Sequence, residues 1–320
     1  MRIFVAGATG AIGRELVPLL ISNGHEVTGS TRSAVKAEII RRMGAQAVVA
    51  DGLDYVATAR AMRSTKPDVV IDEMTDLGGA TDLRHFDRAF ATTNRLRTEG
   101  TDILLAAARE VGAKRFIAQS YCGWTFGRGG AAVKTESDPL DENPPREFRN
   151  TLEAIRYLER TVTASSAPIG IVLRYGSFYG ESTGVLSPVM IDQLRKRRMP
   201  LVGDGGGYWS FIHVADAAAA TVAAIDRGRP GSIYNIVDDD PAAVRDWLPL
   251  LAALVSAKPP RHLPAWIGRL LAGEHMVAMM AEVRGGSNEK AKRELGWRPA
   301  HPSWRDGFAQ VLRQSARSAA

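Results

Sequence analysis

Along the first 175 residues, short apolar runs alternate with stretches whose apolar positions recur at helical spacing. The runs at 3–6, 25–29, 47–50, 68–72, 115–119 and 169–174 predict strands, and the segments between them predict helices. Residues 12–22, IGRELVPLLIS, form one amphipathic turn after another, and Asn23-Gly24 stops them before the strand HEVTGS. Residues 101–120, TDILLAAAREVGAKRFIAQS, repeat that logic with Gly112 as the stop. Strands that alternate with helices make a parallel sheet covered on both faces. The expected fold is therefore α/β, a Rossmann-type doubly wound sheet whose ligand crevice lies at the C-terminal ends of its strands.

Residues 128–150 are rich in Gly, Pro and charge and read as a long surface loop before a helix at 151–163. Past residue 180 the texture changes, with a glycine run at 203–207, the pair Pro259-Pro260 and helical pieces at 186–198, 243–256 and 264–284. The division this predicts is a nucleotide-binding domain over 1–180, to which 205–240 partly returns. A smaller, mostly helical lid over 181–320 is interleaved with it. Trp266, Leu270, Leu271, Met279 and Met280 lie at helical spacing and are expected to pack in the lid core.

Composition adds bounds to this picture. The 320 residues are 45% hydrophobic and 24% charged, enough for one large core and a smaller second one. Cys122 is the only cysteine, so no internal disulfide can form, and no Cys/His spacing fits a structural zinc site. The chain opens directly on a strand without a charged leader or long apolar stretch, and a reducing cytoplasm is the expected compartment. The net charge of +6 has one dense basic run, Arg195-Lys196-Arg197-Arg198, without interleaved aromatics. That run reads as a solvated helix end, and neither nucleic acid nor membrane is an expected partner.

The cofactor signal is VAGATGAIG at residues 5–13, between a strand and a helix. Gly7 permits the tight turn, Gly10 lets the backbone approach a pyrophosphate, and Gly13 lets helix and strand pack closely. Thr9, Ala11 and Ile12 complete the loop, whose helix N-terminus favours negative charge. At the end of the second strand, where a carboxylate would bind the ribose hydroxyl of NAD, the chain has Thr31-Arg32. An arginine there attracts a 2′-phosphate, which favours NADP(H) over NAD(H).

Taken with these residues, the segments GATGAIG at 7–13, ADGLD at 50–54, EGTDILLAAA at 99–108, LRYGSFYG at 173–180, DGGGYWSFIHVADAA at 204–218 and KAKRELGWRP at 290–299 carry a family likeness. The chain resembles the extended short-chain dehydrogenase/reductase superfamily, the NAD(P)-dependent epimerase/dehydratase group, along nearly its whole length. The resemblance implies that Asp51 and Leu53 flank the adenine, that Met74 and Thr75 lie beside the cofactor, and that Tyr175 and Phe178 approach the nicotinamide. It also implies chemistry by a Ser or Thr, a Tyr as proton donor, and a Lys four residues later that lowers the Tyr pKa.

Ser120 stands where that serine is expected, but none of the eight lysines has a tyrosine four residues before it. The resemblance puts Thr151 and Ile155 at the Tyr and Lys positions, and neither can transfer the proton. Tyr121 and Tyr179 are the candidate substitutes, with Asp72 and Glu73 as further polar groups near the crevice. Relatives that act on nucleotide sugars carry Arg-Asp where this chain has Trp209-Ser210, which argues for an apolar or aromatic small-molecule substrate, and Tyr208 adds to that. His213 reads as a structural hydrogen-bonding residue. Three functions stay open: an atypical oxidoreductase or epimerase-like enzyme on a carbonyl or hydroxyl, a non-redox isomerase, cyclase or lyase that keeps its cofactor, and a cofactor-sensing regulator. A homodimer is the assembly common among such relatives.

Overall fold

The computed structural model describes residues 1–77 and 83–318. Its centre is a seven-stranded parallel sheet built from β1 (Arg2–Ala6), β2 (Glu26–Thr31), β3 (Gln46–Val49), β4 (Val69–Asp72), β5 (Arg115–Tyr121), β6 (Ile169–Tyr175) and β7 (Ile233–Ile236). Their spatial order is β7-β6-β5-β4-β1-β2-β3, so the chain reverses direction between β1 and β4. In such a sheet the crevice opens beside that reversal, where the connections leave in opposite directions. The six predicted runs are the first six strands. The seventh is only four residues long and forms the sheet edge, parallel to β6.

The strands are nearly continuous apolar runs because both faces are covered. On one face the helices Ala11–Ser22 and Val214–Arg227 pack together over Ile3, Val5, Ile71, Ile117 and Leu173. On the other, the helices Tyr55–Thr65, Thr101–Glu110 and Arg149–Thr163 cover Phe4, Val70, Phe116 and Val172.

A second core lies beyond the sheet's C-terminal edge, around Tyr179, Phe211, Trp247, Trp304 and Phe308. Short strand pairs bind it together, among them Tyr208–Trp209 with Ala242–Ala243 and Phe211–His213 with Ser177–Gly180. The basic run closes the helix Pro188–Arg195, with Arg195 and Arg197 donating to the carbonyls of Val255 and Pro259. The 128–150 segment is more ordered than a plain surface loop. Val133–Lys134 pairs with Gly285–Gly286, and Arg128 bridges Asp141 at 3.0 Å and Glu282 at 2.6 Å.

The expected helix at 264–284 is two helices, Ala265–Ala272 and Glu274–Ala281, broken at Gly273, whose φ of +90° stops the first. The break overturns part of the expected lid packing. Met280 is buried, but Trp266, Leu270 and Leu271 are 66%, 79% and 63% exposed. The first helix instead turns Gly268 inward against Val202, where a side chain would collide. Helical spacing established that these apolar residues share a face, whereas tertiary packing decided which face was covered.

His213 caps the helix Val214–Arg227, its Nδ1 accepting from the Ala215 N–H at 3.2 Å, and its ring stacks on His301 at 3.9 Å. Asp216 accepts from the backbone N–H groups of Ala300 and His301. The two rings and Asp216 cluster closely, yet near-parallel imidazoles send their lone pairs side by side rather than toward one point. Burial, helped by His301, pushes the His213 pKa down to about 4. The unfolded imidazole takes a proton near its usual value of 6.5. Between those two values the unfolded chain therefore holds more protons, and stability falls as pH falls. Thermal denaturation from pH 7 to pH 4 is expected to show a shallower loss in His213→Asn, which keeps a capping acceptor, than in the unsubstituted protein. Parallel curves would show that His213 does not titrate on unfolding.

Candidate active site

At the end of β1 the backbone turns through Gly7, whose φ is +83°. A Cβ there would stand 2.5 Å from the Glu73 carbonyl, and one on Gly13 would stand 2.5 Å from the Ala8 carbonyl, so both glycines are required by close packing. Gly10 is different. It caps the helix Ala11–Ser22 without any side-chain hydrogen bond, and a Cβ on it would meet only the Gly7 carbonyl at 3.2 Å. The first N–H groups of that helix are left for a phosphate, and Thr9 and Ala11 flank them while Ile12 anchors the turn in the core. The loop fits a dinucleotide pyrophosphate.

Arg32 leaves the end of β2 largely exposed and pairs with Asp76 at 2.7 Å. The Thr31 hydroxyl accepts from the Ser33 N–H, and Ser33 caps the next helix. Across the groove, Asp51 accepts from the Leu53 N–H in a tight turn, and Met74 fills the space that a side chain on Gly52 would need. Thr75 follows Met74, partly exposed. These groups line one rim and could hold an adenosine.

The opposite end of the crevice departs from several expectations. Tyr175 is fully buried, donating to Glu73 Oε1 at 3.0 Å and sharing a 2.6 Å hydrogen bond with Thr221, so its hydroxyl lies in the core and not in the crevice. Phe178 packs against its ring. Burial raises Glu73 well above the carboxylate range and Asp72 to about 7, and both stay in the core behind the glycine loop. Tyr179 sits in the lid core between His213, Phe308 and Gly307, its hydroxyl without a hydrogen-bond partner among the described residues. Strand alternation explains these placements, because the polar ends of large side chains follow the face on which their residue falls.

Alternation also separates Ser120 from Tyr121. Ser120 is 1% exposed and donates to Glu159 Oε1 at 2.7 Å. Glu159 is held bidentately by Arg174, at 2.7 and 2.6 Å, so helix Arg149–Thr163, β5 and β6 share one buried polar junction. Tyr121 turns the other way, its hydroxyl 3.0 Å from the Ser177 hydroxyl. A cleft of only about 10 Å³, roughly the space of one water, lies beside it and is lined by Gly123, Trp124, Ser177, Tyr208, Trp209, Met279 and Val283. Trp209 spends its N–H on the Met279 carbonyl, which leaves an aromatic face toward the pocket. Thr151 is engaged by Asp87 and Asn94, and Ile155 packs among Phe86, Trp124 and Phe148.

Two further residues, one in this site and one whose charge acts on Tyr121, escaped sequence reasoning. Ser177 lay within a quoted motif, but only the fold brings it to Tyr121. Arg97 sits on a π-helical turn, Leu96–Gly100, and is only 8% exposed. In sequence it is one of several arginines in an ordinary helical stretch. A π turn inside a helix recurs at functional sites, but it leaves no sequence signature.

Residues 3–237 match the profile of the NAD dependent epimerase/dehydratase family. This chain belongs to that family. A Streptomyces sp. 3-diazoavenalumate denitrifying reductase is 40% identical over 311 residues, covering 97% of this chain and 100% of the relative. A 4-hydroxy-2-methyl-3-oxo-4-farnesyl-3,4-dihydroquinoline-1-oxide ketoreductase from Stigmatella aurantiaca is 27% identical, covering 97% and 96%. In fold, the Thermotoga maritima UDP-glucose 4-epimerase superposes with a TM-score of 0.78 at 21% identity, over 100% of both chains. As a member of the NAD dependent epimerase/dehydratase family, the chain is an NAD(P)-binding oxidoreductase or epimerase-like enzyme. No helix among its described residues is long and apolar enough to cross a membrane.

The buried junction gives a stability test. Arg174→Met leaves Glu159 charged and unpaired, and is expected to cost about 3–5 kcal/mol in urea denaturation. Replacing both partners by methionine should recover most of that loss, and equal losses in the single and double variants would show that the pair is not coupled.

Proposed function

We propose that this chain is an NADP(H)-dependent reductase of a small carbonyl substrate other than a nucleotide sugar, with Tyr121 as proton donor. The observation that carries this reading is the Tyr121–Ser177 hydroxyl pair at the end of β5 and beside β6, at the edge of a narrow cleft with aromatic walls. It supplies a tyrosine acid and a serine partner from segments other than those of the usual arrangement. Bound through Gly7, Gly10 and Gly13, the cofactor supplies the hydride. Tyr121 Oη then gives its proton to the oxygen of the reduced carbonyl, and Ser177 Oγ orients that oxygen. Burial raises the Tyr121 pKa, while the Ser177 hydrogen bond and the Arg97 charge oppose the rise. The phenol is therefore protonated at neutral pH, as a donor must be.

Ser120 acts from behind as a positioning residue, fixing the end of β5 through Glu159. Arg32 supports the NADP(H) preference. Its exposed pair with Asp76 is worth about 0–1 kcal/mol, so a 2′-phosphate can displace the carboxylate at little cost. Trp209 and Ser210 support a substrate without a diphosphate. The indole N–H is bound to Met279 and the serine hydroxyl to the Gly286 N–H, so neither is arranged to clamp phosphate oxygens. The two relatives whose names are those of reductases support a net redox reaction over an isomerisation.

Titration by nicotinamide fluorescence is expected to show tighter binding of NADPH than of NADH, with the preference reduced about tenfold or more in Arg32→Ala. Equal affinities in the unsubstituted protein would overturn the cofactor assignment. In a screen of aromatic ketones, aldehydes and quinones with NADPH, Tyr121→Phe is expected to lower kcat by about 10²–10⁴ with NADPH affinity retained. Unchanged turnover in that variant would remove Tyr121 from the chemistry.

A further inference from the structure

Trp266 and Leu270 stand one turn apart on the helix Ala265–Ala272, on the face opposite the inward Gly268, and both protrude into solvent. Leu271 widens the apolar patch, and Arg269 is exposed on the same turn. Of the six tryptophans, Trp266 alone is exposed. Contiguous apolar surface of this kind marks a contact site more often than bare surface. The helix lies on a ribbon of two short strands, Leu201–Val202 and His262–Leu263, with Gly268 against Val202. The basic run Arg195–Arg198 leads into the first strand and Lys258–Arg261 into the second, and Arg197 ties the two by donating to the Pro259 carbonyl at 3.2 Å. Residues 195–198 and 258–273 together hold seven lysines and arginines and no aspartate or glutamate. Among the described residues only Lys196 of these seven pairs with a carboxylate, that of Asp192 at 2.8 Å. Asp204, which follows the ribbon, is turned to Arg245 at 3.8 Å. In sequence the basic run lacks aromatic neighbours, and for that reason no membrane was expected. The fold brings it to the strand beneath the helix of Trp266.

We propose that this corner of the lid seats the protein on an anionic lipid surface. Trp266, Leu270 and Leu271 enter the interfacial layer, and Arg269, Arg261, Lys258 and the basic run meet the headgroups. Helices that lie in a membrane interface combine Trp and Leu with flanking Lys and Arg, and each cation close to an anionic leaflet adds attraction. A bilayer also takes up protruding side chains without a groove shaped to receive them. A second copy of the chain is the poorer occupant. In a two-fold interface the patch meets itself, so the unpaired cations around it would face their own counterparts with no acid to relieve them. This proposal does not rest on the reductase reading.

The test mixes the full chain with phosphatidylcholine vesicles, with and without phosphatidylserine, and reads cosedimentation and tryptophan emission. Binding is expected to be about tenfold or more tighter when phosphatidylserine is present, and to weaken as salt is raised. Emission should move to shorter wavelength on binding, and the shift should vanish in Trp266→Phe, which still binds. Leu270→Gln combined with Leu271→Gln should weaken binding about tenfold or more. Lys258→Gln combined with Arg261→Gln and Arg269→Gln should do the same. Both variants should melt with the unsubstituted protein, because glutamine suits an exposed helix and none of these side chains is buried. No vesicle binding, equal binding to both compositions, or full binding in the leucine variant would overturn the proposal. So would binding without an emission shift, which would make the contact purely electrostatic, or a fall in the melting temperature of the leucine variant, which would give those side chains to the fold. A concentration-dependent dimer that the leucine variant abolishes would give the face to a second copy and overturn it as well.

Discussion

The pairing of Glu159 with Arg174 is the interaction on which the site depends. It joins the helix Arg149–Thr163 to β6, and through Ser120 it fixes the end of β5. With Ser120 held inward, alternation along the strand turns Tyr121 outward to Ser177. One buried junction thus sets the orientation of the proposed acid.

The crevice owes its position to a plainer constraint. A sheet buried on both faces can expose ligand-binding backbone only at its strand ends, and the reversal between β1 and β4 parts the connections there. At one side of that opening the glycine loop offers helix N–H groups with no capping side chain. At the other, the lid contributes Tyr208, Trp209, Met279 and Val283, which replace solvent with aromatic and aliphatic walls.

The sheet, its order of construction and the glycine loop were legible in the sequence, because period-2 and period-3.6 patterning and the steric demands of Gly7 and Gly13 are local properties. The absence of Tyr-x-x-x-Lys was equally legible, since it needs only counting. Side-chain destinations were less so. Tyr175, Tyr179 and Tyr121 fall in or beside the same motifs, yet one is spent on Glu73, one is sealed in the lid core, and only Tyr121 reaches the pocket. Trp266, Leu270 and Leu271 shared a helical face as expected, but Gly273 ends their helix and leaves that face outside.

By itself the sequence determined the fold class, the glycine turn after the first strand and the absence of any Tyr-x-x-x-Lys, since each follows from residue type and spacing within a short stretch. Tertiary structure alone decided that Ser177 meets Tyr121, that Glu159 belongs to Arg174, and that Arg97 Nη1 is buried without a hydrogen-bond partner among the described residues. Those facts depend on segments far apart in the chain approaching within hydrogen-bond distance, or failing to, and no local pattern encodes such a meeting.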